Sequence, residues 1–336
     1  MRIDEAEPDD MTAVLAQSHE VWGEGMGLDD YTRFNLALKD SDWGRRNYRF
    51  LIGRDDSGGL LSSLQLYTLH GVLDARPLRI AGVGALFTPP ARRGQGHAAA
   101  LLERALALAA SEGAGVALLV SEIGAAWYEK RGFRALPATE AACRARMPAP
   151  WPKEPQWVGT GDPLIAVPGL RPGRPDDLEA LVAIHQAAIS GQRFRMERDR
   201  ADWDYALLKS ALAHKLRGDG EEQLLVIEEG GPIAAYALLK QMPEALRWKE
   251  HGARPGSEAR SLDLFWCALA LARRSGKERV EGWFLPPAPE AGRAYYPIAR
   301  RGRAVPSVIW RALDPAIELP RLTDEEECRV FELDRF

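Results

Sequence analysis

Nowhere in its 336 residues does the chain carry an apolar run approaching the ~20 residues of a membrane-spanning helix, so no membrane partner is expected. Cysteine is scarce. Only Cys143, Cys267 and Cys328 occur, far apart and without a Cys-x-x-Cys pair, which excludes a disulfide scaffold and points to a reducing compartment. The six histidines fall in no His-x-x-x-His or similar spacing, so no catalytic metal is expected. A formal net charge of −4 leaves no basic excess for a nucleic-acid partner. The opening MRIDEAEPDD is acidic and polar where a secretory signal needs a basic and then an apolar segment, so a cytoplasmic location is expected. What remains is an ordinary globular composition, 46% hydrophobic and 27% charged, with length enough for two domains.

The chain is organised around Leu86 to Ala110, LFTPPARRGQGHAAALLERALALAA. An apolar segment ends at Pro89 and Pro90, two arginines and a Gly-x-Gly follow, and an alanine-rich helix begins at His97. Proline ends a strand because it has no N–H for the ladder. Gly94 and Gly96 permit positive φ and close approach of a ligand to the main chain. The helix start offers unpaired N–H groups and the positive end of its dipole, and Arg92 and Arg93 add two cations. Together these predict an anion site suited to phosphate. A plain strand–turn–helix joint is the competing reading. A dinucleotide-binding turn is another, but it needs a third glycine, where Ala99 stands, and an acidic residue about 20 positions on.

Along the chain, Pro8 to His19 reads as a helix capped by Asp9 or Asp10, with Met11, Val14 and Leu15 inward. Helix is expected to resume over Asp30 to Lys39 after an interrupted, glycine-containing stretch. Tyr48 to Gly53 and Leu60 to Leu69 read as a hairpin about the turn DDSGG, Pro77 to Phe87 as the strand feeding the glycine loop, and Gly115 to Val120 as a buried strand. A short helix holding Trp127 and Tyr128 follows. Six prolines between 148 and 168 predict a stiff linker there, dividing a domain over 1–147 from one over 169–336.

The second part repeats the first. Pro175 to Gln186, PDDLEALVAIHQ, matches Pro8 to His19, PDDMTAVLAQSH, with Pro, both Asp and two Ala identical. A hairpin is again expected, over Gln223 to Ile227 and Ile233 to Lys240, and a helix over Ser261 to Arg273. The loop before that helix, ARPGSEAR, has a single glycine.

Arg93-Gly94-Gln95-Gly96-His97-Ala98 resembles motif A of the GNAT N-acetyltransferases, Arg/Gln-x-x-Gly-x-Gly/Ala, and Ala125 with Trp127 to Phe133 resembles their motif B. The resemblance implies an α/β fold of two tandem GNAT-like domains, each a mixed, mostly antiparallel sheet flanked by helices, the second degenerate and without a coenzyme loop. It implies acetyl-CoA as cosubstrate, its pyrophosphate held by the main chain of 93–98 and its pantetheine arm beside Leu86 and Thr88. Tandem halves of this kind are similar to the fungal lysine N-acetyltransferases, through Val21-Trp22-Gly23, Asp42-Trp43-Gly44 and Ser121 to Gly124, and to the enhanced-intracellular-survival family, which shares a C-terminal phenylalanine. In that family the terminal carboxylate is the base, which would assign the role to Phe336.

The activity so implied is transfer of an acetyl group to a primary amine, of a small molecule or of lysine. Such an amine, of pKa ~10.4, must lose a proton before it attacks, and the leaving thiolate must gain one. Tyr128 is the candidate acid, because motif B places its tyrosine over the thioester sulfur. Glu122 is the candidate base or water holder. Trp22, Glu24 and Tyr31 are candidates for the acceptor pocket, with packing the alternative role. A non-catalytic coenzyme A-binding regulator and a homo-oligomer both stay open.

Overall fold

A computed structural model describes residues 1–145, 167–218, 220–286, 298–303, 306–322 and 327–335. Most of the proline-rich stretch expected as a linker over 148–168, and Phe336, lie outside the described residues.

The chain opens with strand β1 (Arg2–Glu5), followed by helices α1 (Pro8–Trp22), α2 (Leu28–Asp40) and α3 (Asp42–Asn47). Strands β2 (Tyr48–Arg54), β3 (Leu60–Leu73) and β4 (Arg76–Phe87) lead through the glycine loop into α4 (His97–Ser111). Strand β5 (Val116–Ser121), helix α5 (Ala126–Glu129) and strands β6 (Arg134–Ala135) and β7 (Thr139–Arg144) complete the first part. The second part runs β8 (Leu170–Pro172), α6 (Leu178–Ile189), β9 (Phe194–Glu197), α7 (Arg200–Arg217), β10 (Glu222–Glu228), β11 (Ile233–Gln241), β12 (Ala245–Ala253) and α8 (Ala259–Arg274). It ends with β13 (Arg279–Gly282), β14 (Ile298–Gly302), β15 (Ser307–Ala312), β16 (Cys328–Arg329) and a 3-10 turn over Glu332–Asp334.

The start of α1 differs from the sequence reading. Glu7 is its N-cap and makes no side-chain hydrogen bond, while Pro8 opens the first turn and Asp9 and Asp10 lie within that turn. Proline suits this place because the first helical N–H has no partner to lose.

The described strands form two mixed sheets with parallel topologies. The first runs β1-β2-β3-β4-β5-β15-β6, and the second β8-β10-β11-β12-β13-β7-β14. Along each order the fourth and fifth strands run parallel, β4 with β5 and β12 with β13, and the helix between them, α4 or α8, is the crossover; β9 and β16 are a further parallel pair of the first sheet. The sheets exchange strands. Trp310 of β15 stands opposite Leu118 of β5, while Ala142 of β7 stands opposite Glu281 of β13. Strand β9 also joins the first sheet, continuing along β3 from His70 to Leu73 where β2 leaves off at Tyr67.

Alternation decides the layers. On β5, Ala117 and Leu119 face Leu101, Leu102 and Leu106 of α4, and Ile309 of β15 joins them. Val116 and Leu118 face the other way, into a core with Val308 and Trp310 that Trp283, Leu319 and Leu322 cover. A strand buried on both faces needs the continuous apolar run that GVALLV supplies.

Candidate active site

The glycine loop joins β4 to α4. Gly94 has φ 75° and Gly96, the N-cap of α4, φ 82°, so both stand where L side chains are strained. A Cβ at either would meet nothing within 4 Å, which leaves open space in front of the main chain. The amides of Gly94, Gln95, Gly96, His97, Ala98 and Ala99 donate to no main-chain carbonyl, and the first bond of the helix is Ala100 N–H to Gly96 C=O, 3.0 Å. Six consecutive free donors at a helix N-terminus suit a pyrophosphate. Arg93 is exposed and its Nε donates to the Thr88 carbonyl at 3.1 Å, while Arg92 donates to Asp55 at 3.2 Å. The Gln95 side chain donates to Ala91 C=O at 3.3 Å and contacts the His97 ring at 3.2 Å.

The corresponding turn of the second part is closed from within. Glu229, at the β10–β11 turn, accepts from Arg260 at 2.6 Å and from Ser257 at 3.1 Å, and lies 3.8 Å from Arg254. Bonding to Arg260 and Ser257 holds its carboxyl below the usual range. The amides of that turn are taken as well, Ser257, Arg260 and Ser261 donating to main-chain carbonyls and Gly256 to the Glu258 carboxylate at 2.9 Å, where those of the first half donate to none.

Strands β4 and β5 are paired only from Ile80↔Val116 to Val83↔Leu119. Beyond that point β4 gains a residue against β3, since Gln65 opposes Gly84 but Ser63 opposes Phe87. Within this bulge Ala85 has φ 42°. An extra residue bends a strand away from its neighbour, and a non-glycine residue in the left-handed region marks a conformation held by its surroundings. The edge of Leu86 facing β5 is therefore free of ladder bonds, whereas Ser62 Oγ donates to the Phe87 carbonyl at 2.6 Å and lies 3.1 Å from Thr88 Oγ1. Leu86 and Thr88 border the gap that opens.

Tyr128 lies on α5, just beyond β5. Its ring is buried against Trp127 and Phe133, edge-on to both, at 4.7 and 5.7 Å between centroids. Burial raises its pKa, with Arg131 opposing, so at neutral pH the phenol keeps its proton. Glu122 is exposed at the end of β5 and pairs with Arg335.

Glu122 is also on the rim of a cavity of about 350 Å3 between the two parts. Its wall includes Val83 to Ala85 of β4, Val120 of β5, residues of α2 and α7, and Glu332 to Arg335. Trp22, Glu24 and Tyr31 all line it, so the structure brings three of the sequence candidates together with Glu122. Glu24 has φ 49° and pairs with Arg217 of α7. Tyr31 is buried, its hydroxyl 3.4 Å from Ser18 Oγ, and burial raises its pKa. Tyr128 does not reach this cavity; it belongs to the core under α4. Sequence reasoning missed the α7 wall, Trp43, Asp202, Tyr205 and Lys209, although Trp43 and Tyr205 stack at 4.0 Å.

The segment at 332–335 is fixed from below by buried charges. Arg198 donates to Glu250 at 2.6 Å and lies 3.0 Å from Asp334, and Tyr236 donates to the other Glu250 oxygen at 2.7 Å. Burial works against the Glu250 charge, but Arg198 and His185 hold its pKa at about 2. Arg247 adds a bond to Glu332 at 2.7 Å.

Among the described residues no group of three or more His, Cys, Asp or Glu side chains could hold a metal ion, and no helix is long and apolar enough to cross a membrane. Cys143, Cys267 and Cys328 are buried, and none of them is in a disulfide.

Residues 2–136 match the acetyltransferase (GNAT) domain family. No curated protein is a significant match. Among solved structures, a probable N-acyltransferase of Enterococcus faecalis is similar at TM-score 0.68 with 12% identity, over 93% of this chain and 72% of that one. Eis1 of Mycobacterium abscessus is similar at TM-score 0.57 with 16% identity, over 94% and 74%. The N-myristoyltransferase of Saccharomyces cerevisiae with bound myristoyl-CoA is similar at TM-score 0.51 with 11% identity, over 93% and 83%. Residues 2–136 thus match a GNAT acetyltransferase domain, and the chain as a whole has the fold of two tandem GNAT-like halves.

Proposed function

We propose that this protein moves an acetyl group from acetyl-CoA to a primary amine, of a small molecule or of lysine. The reading is carried by one observation. Strands β4 and β5 part beyond Val83 and Leu119, β4 leads into the loop of six free amides, and the parted stretch lines a cavity walled by both halves. Acetyl-CoA supplies the acyl group as a thioester. Leu86 and Thr88 border the path of its arm, and residues 93–98 receive its pyrophosphate. Tyr128, kept neutral by burial, returns a proton to the leaving sulfur. Glu122, tied to Arg335 at the rim, takes the amine's proton, directly or through a water. The amine enters from the cavity, so the second half serves as a wall of the acceptor site and not as a second enzyme.

Titration should give one acetyl-CoA site per chain, and Gly96→Trp should abolish it, because the indole would fill the space before the loop and strain a φ of 82°. Release of free thiol across a panel of amines reads the transfer itself. Two equal sites, unchanged affinity in a folded Gly96→Trp variant, or no thiol release with any amine would overturn the reading.

A further inference from the structure

Helix α7 presents the cavity with two side chains of opposite kind, Asp202 and Lys209. Seven residues apart, they lie on one face of the helix, two turns or about 10.5 Å along it. Among the described residues neither of them joins the ion pairs that line the cavity. Six other carboxylates there have a cation. Glu24 pairs with Arg217, Glu122 with Arg335, and Glu197 with Arg195 at 3.7 Å. Glu222 pairs with Lys249 at 2.5 Å, Glu332 with Arg247 at 2.7 Å and Asp334 with Arg198 at 3.0 Å. Asp202 accepts only from neutral donors, the Trp43 indole at 2.7 Å and the Asp199 amide at 2.9 Å. Among the described residues Lys209 meets no carboxylate; its hydrogen bond is to the Arg335 carbonyl at 3.1 Å. Its surroundings are positive, with Arg335 and Lys249 beside it and Glu222 already taken by Lys249.

We infer that the cavity takes a zwitterionic acceptor, an amine that also carries a carboxylate, with the ammonium end at Asp202 and the carboxylate at Lys209. This deepens the functional reading above and rests on it for the word acceptor. A polycation is the ligand the cavity suits least, because its carboxylates are already neutralised in pairs. An unpaired buried ion is costly, and a ligand bringing both counter-charges removes that cost at two places at once. The titration of the two groups agrees with this. Burial raises the Asp202 pKa, with the Asp199 amide, the Trp43 indole and His70 opposing, and burial together with Arg335 and Lys249 lowers that of Lys209 to about 7. Burial thus disfavours the charged form of each, and the two ends of a zwitterion would favour it at each.

The test is calorimetric binding to the full-length protein in the presence of coenzyme A. The probes are ω-amino carboxylates with two to six methylenes and the alkylamines of the same lengths. The best amino carboxylate should bind at least 10-fold more tightly than its alkylamine. Lys209→Met should bring that ratio within about twofold, with alkylamine and coenzyme A affinities unchanged, and Lys209→Arg should keep most of it. Removing an unpaired buried charge does not threaten the fold, so the variant is a fair probe. Alkylamines binding as tightly as amino carboxylates, none of the series binding at millimolar concentration, or a preference that survives Lys209→Met would overturn the inference. A lower melting temperature with an intact preference would make Lys209 a tie between α7 and residue 335 and nothing more. Free-thiol release separates the two readings. Amino carboxylates that bind but are never acetylated would sink the functional reading alone. Acetylation of alkylamines without discrimination would keep that reading and sink this one.

Discussion

Ile309 offers a measurement of how far the two halves depend on each other. It lies on β15, in the second half of the chain, yet it is fully buried in the core beneath α4 with Leu101, Leu102 and Tyr128. Ile309→Ala removes three carbons from a site that cannot refill, at a cost of about 3 kcal/mol within the range of about 2–5 for such changes. The effect on melting depends on what unfolds. If all 336 residues unfold together, the entropy at the midpoint is about 0.7 kcal/mol/K from ~2.1 cal/mol/K per residue, and the midpoint falls by about 4 °C. If the first sheet unfolds alone, with about 150 residues, the entropy is about 0.3 kcal/mol/K and the fall is about 10 °C. Because β7 belongs to the second sheet and β15 to the first, neither sheet can open without stripping a strand from the other. A single calorimetric transition is therefore expected, moved by about 4 °C and carrying the enthalpy of the whole chain. Two resolved transitions, with only the lower one moved by about 10 °C, would refute the reasoning.

Tyr128→Phe keeps the ring and its edge-on contacts while removing the hydroxyl, so stability and acetyl-CoA affinity should hold while kcat falls by roughly 10²–10⁴, the usual worth of a positioned acid. A kcat within about twofold of wild type in steady-state assays would remove Tyr128 from the mechanism. Stability should also depend on pH through Lys209, whose pKa falls from 10.5 to about 7 on folding, chiefly by burial. Between those values the unfolded chain binds a proton that the folded chain has released, so stability rises with pH across this window and is lost as pH falls through about 7. Lys209→Met should flatten that rise in denaturant titrations made from pH 6.5 to 10; an unchanged slope would show that Lys209 is not its source.

The parts of this molecule that were legible in the sequence are those fixed by local chemistry. Gly94 and Gly96 announced positive φ, and Val116 to Ser121 announced a strand buried on both faces. The repeat of Pro8 to His19 at Pro175 announced a second copy of the fold. The parts that were not legible depend on partners distant in sequence. Ser307 to Ala312 holds the short continuous apolar run of a buried strand, but nothing in SVIWRA tells that its neighbour is β5 and not β13. Ala85 carries a side chain, so its φ of 42° had no marker; it is imposed by the mismatch of register between β3 and β4. Helix α7 had usable signals, since Asp199 and Asp202 form a reciprocal cap and Gly218 ends the helix at φ 70°. Even with the helix assigned, only the tertiary arrangement turns Asp202 and Lys209 toward the cavity.

The exchange of strands has a further consequence while the chain is being made. By the time Ser121 has left the ribosome, β5 has its neighbour on one side only, and the strand that closes its other edge ends at Ala312. At about 5–20 residues per second, the intervening stretch takes about 10–40 s to synthesise. Throughout that interval an apolar strand flanks the nascent helix α4 with an open edge, the feature that invites pairing with other chains. In the meantime β7 emerges early and waits for β13. The two halves therefore mature almost together, late in synthesis, and a ribosome that stalls within the second half releases a first half that cannot close its sheet.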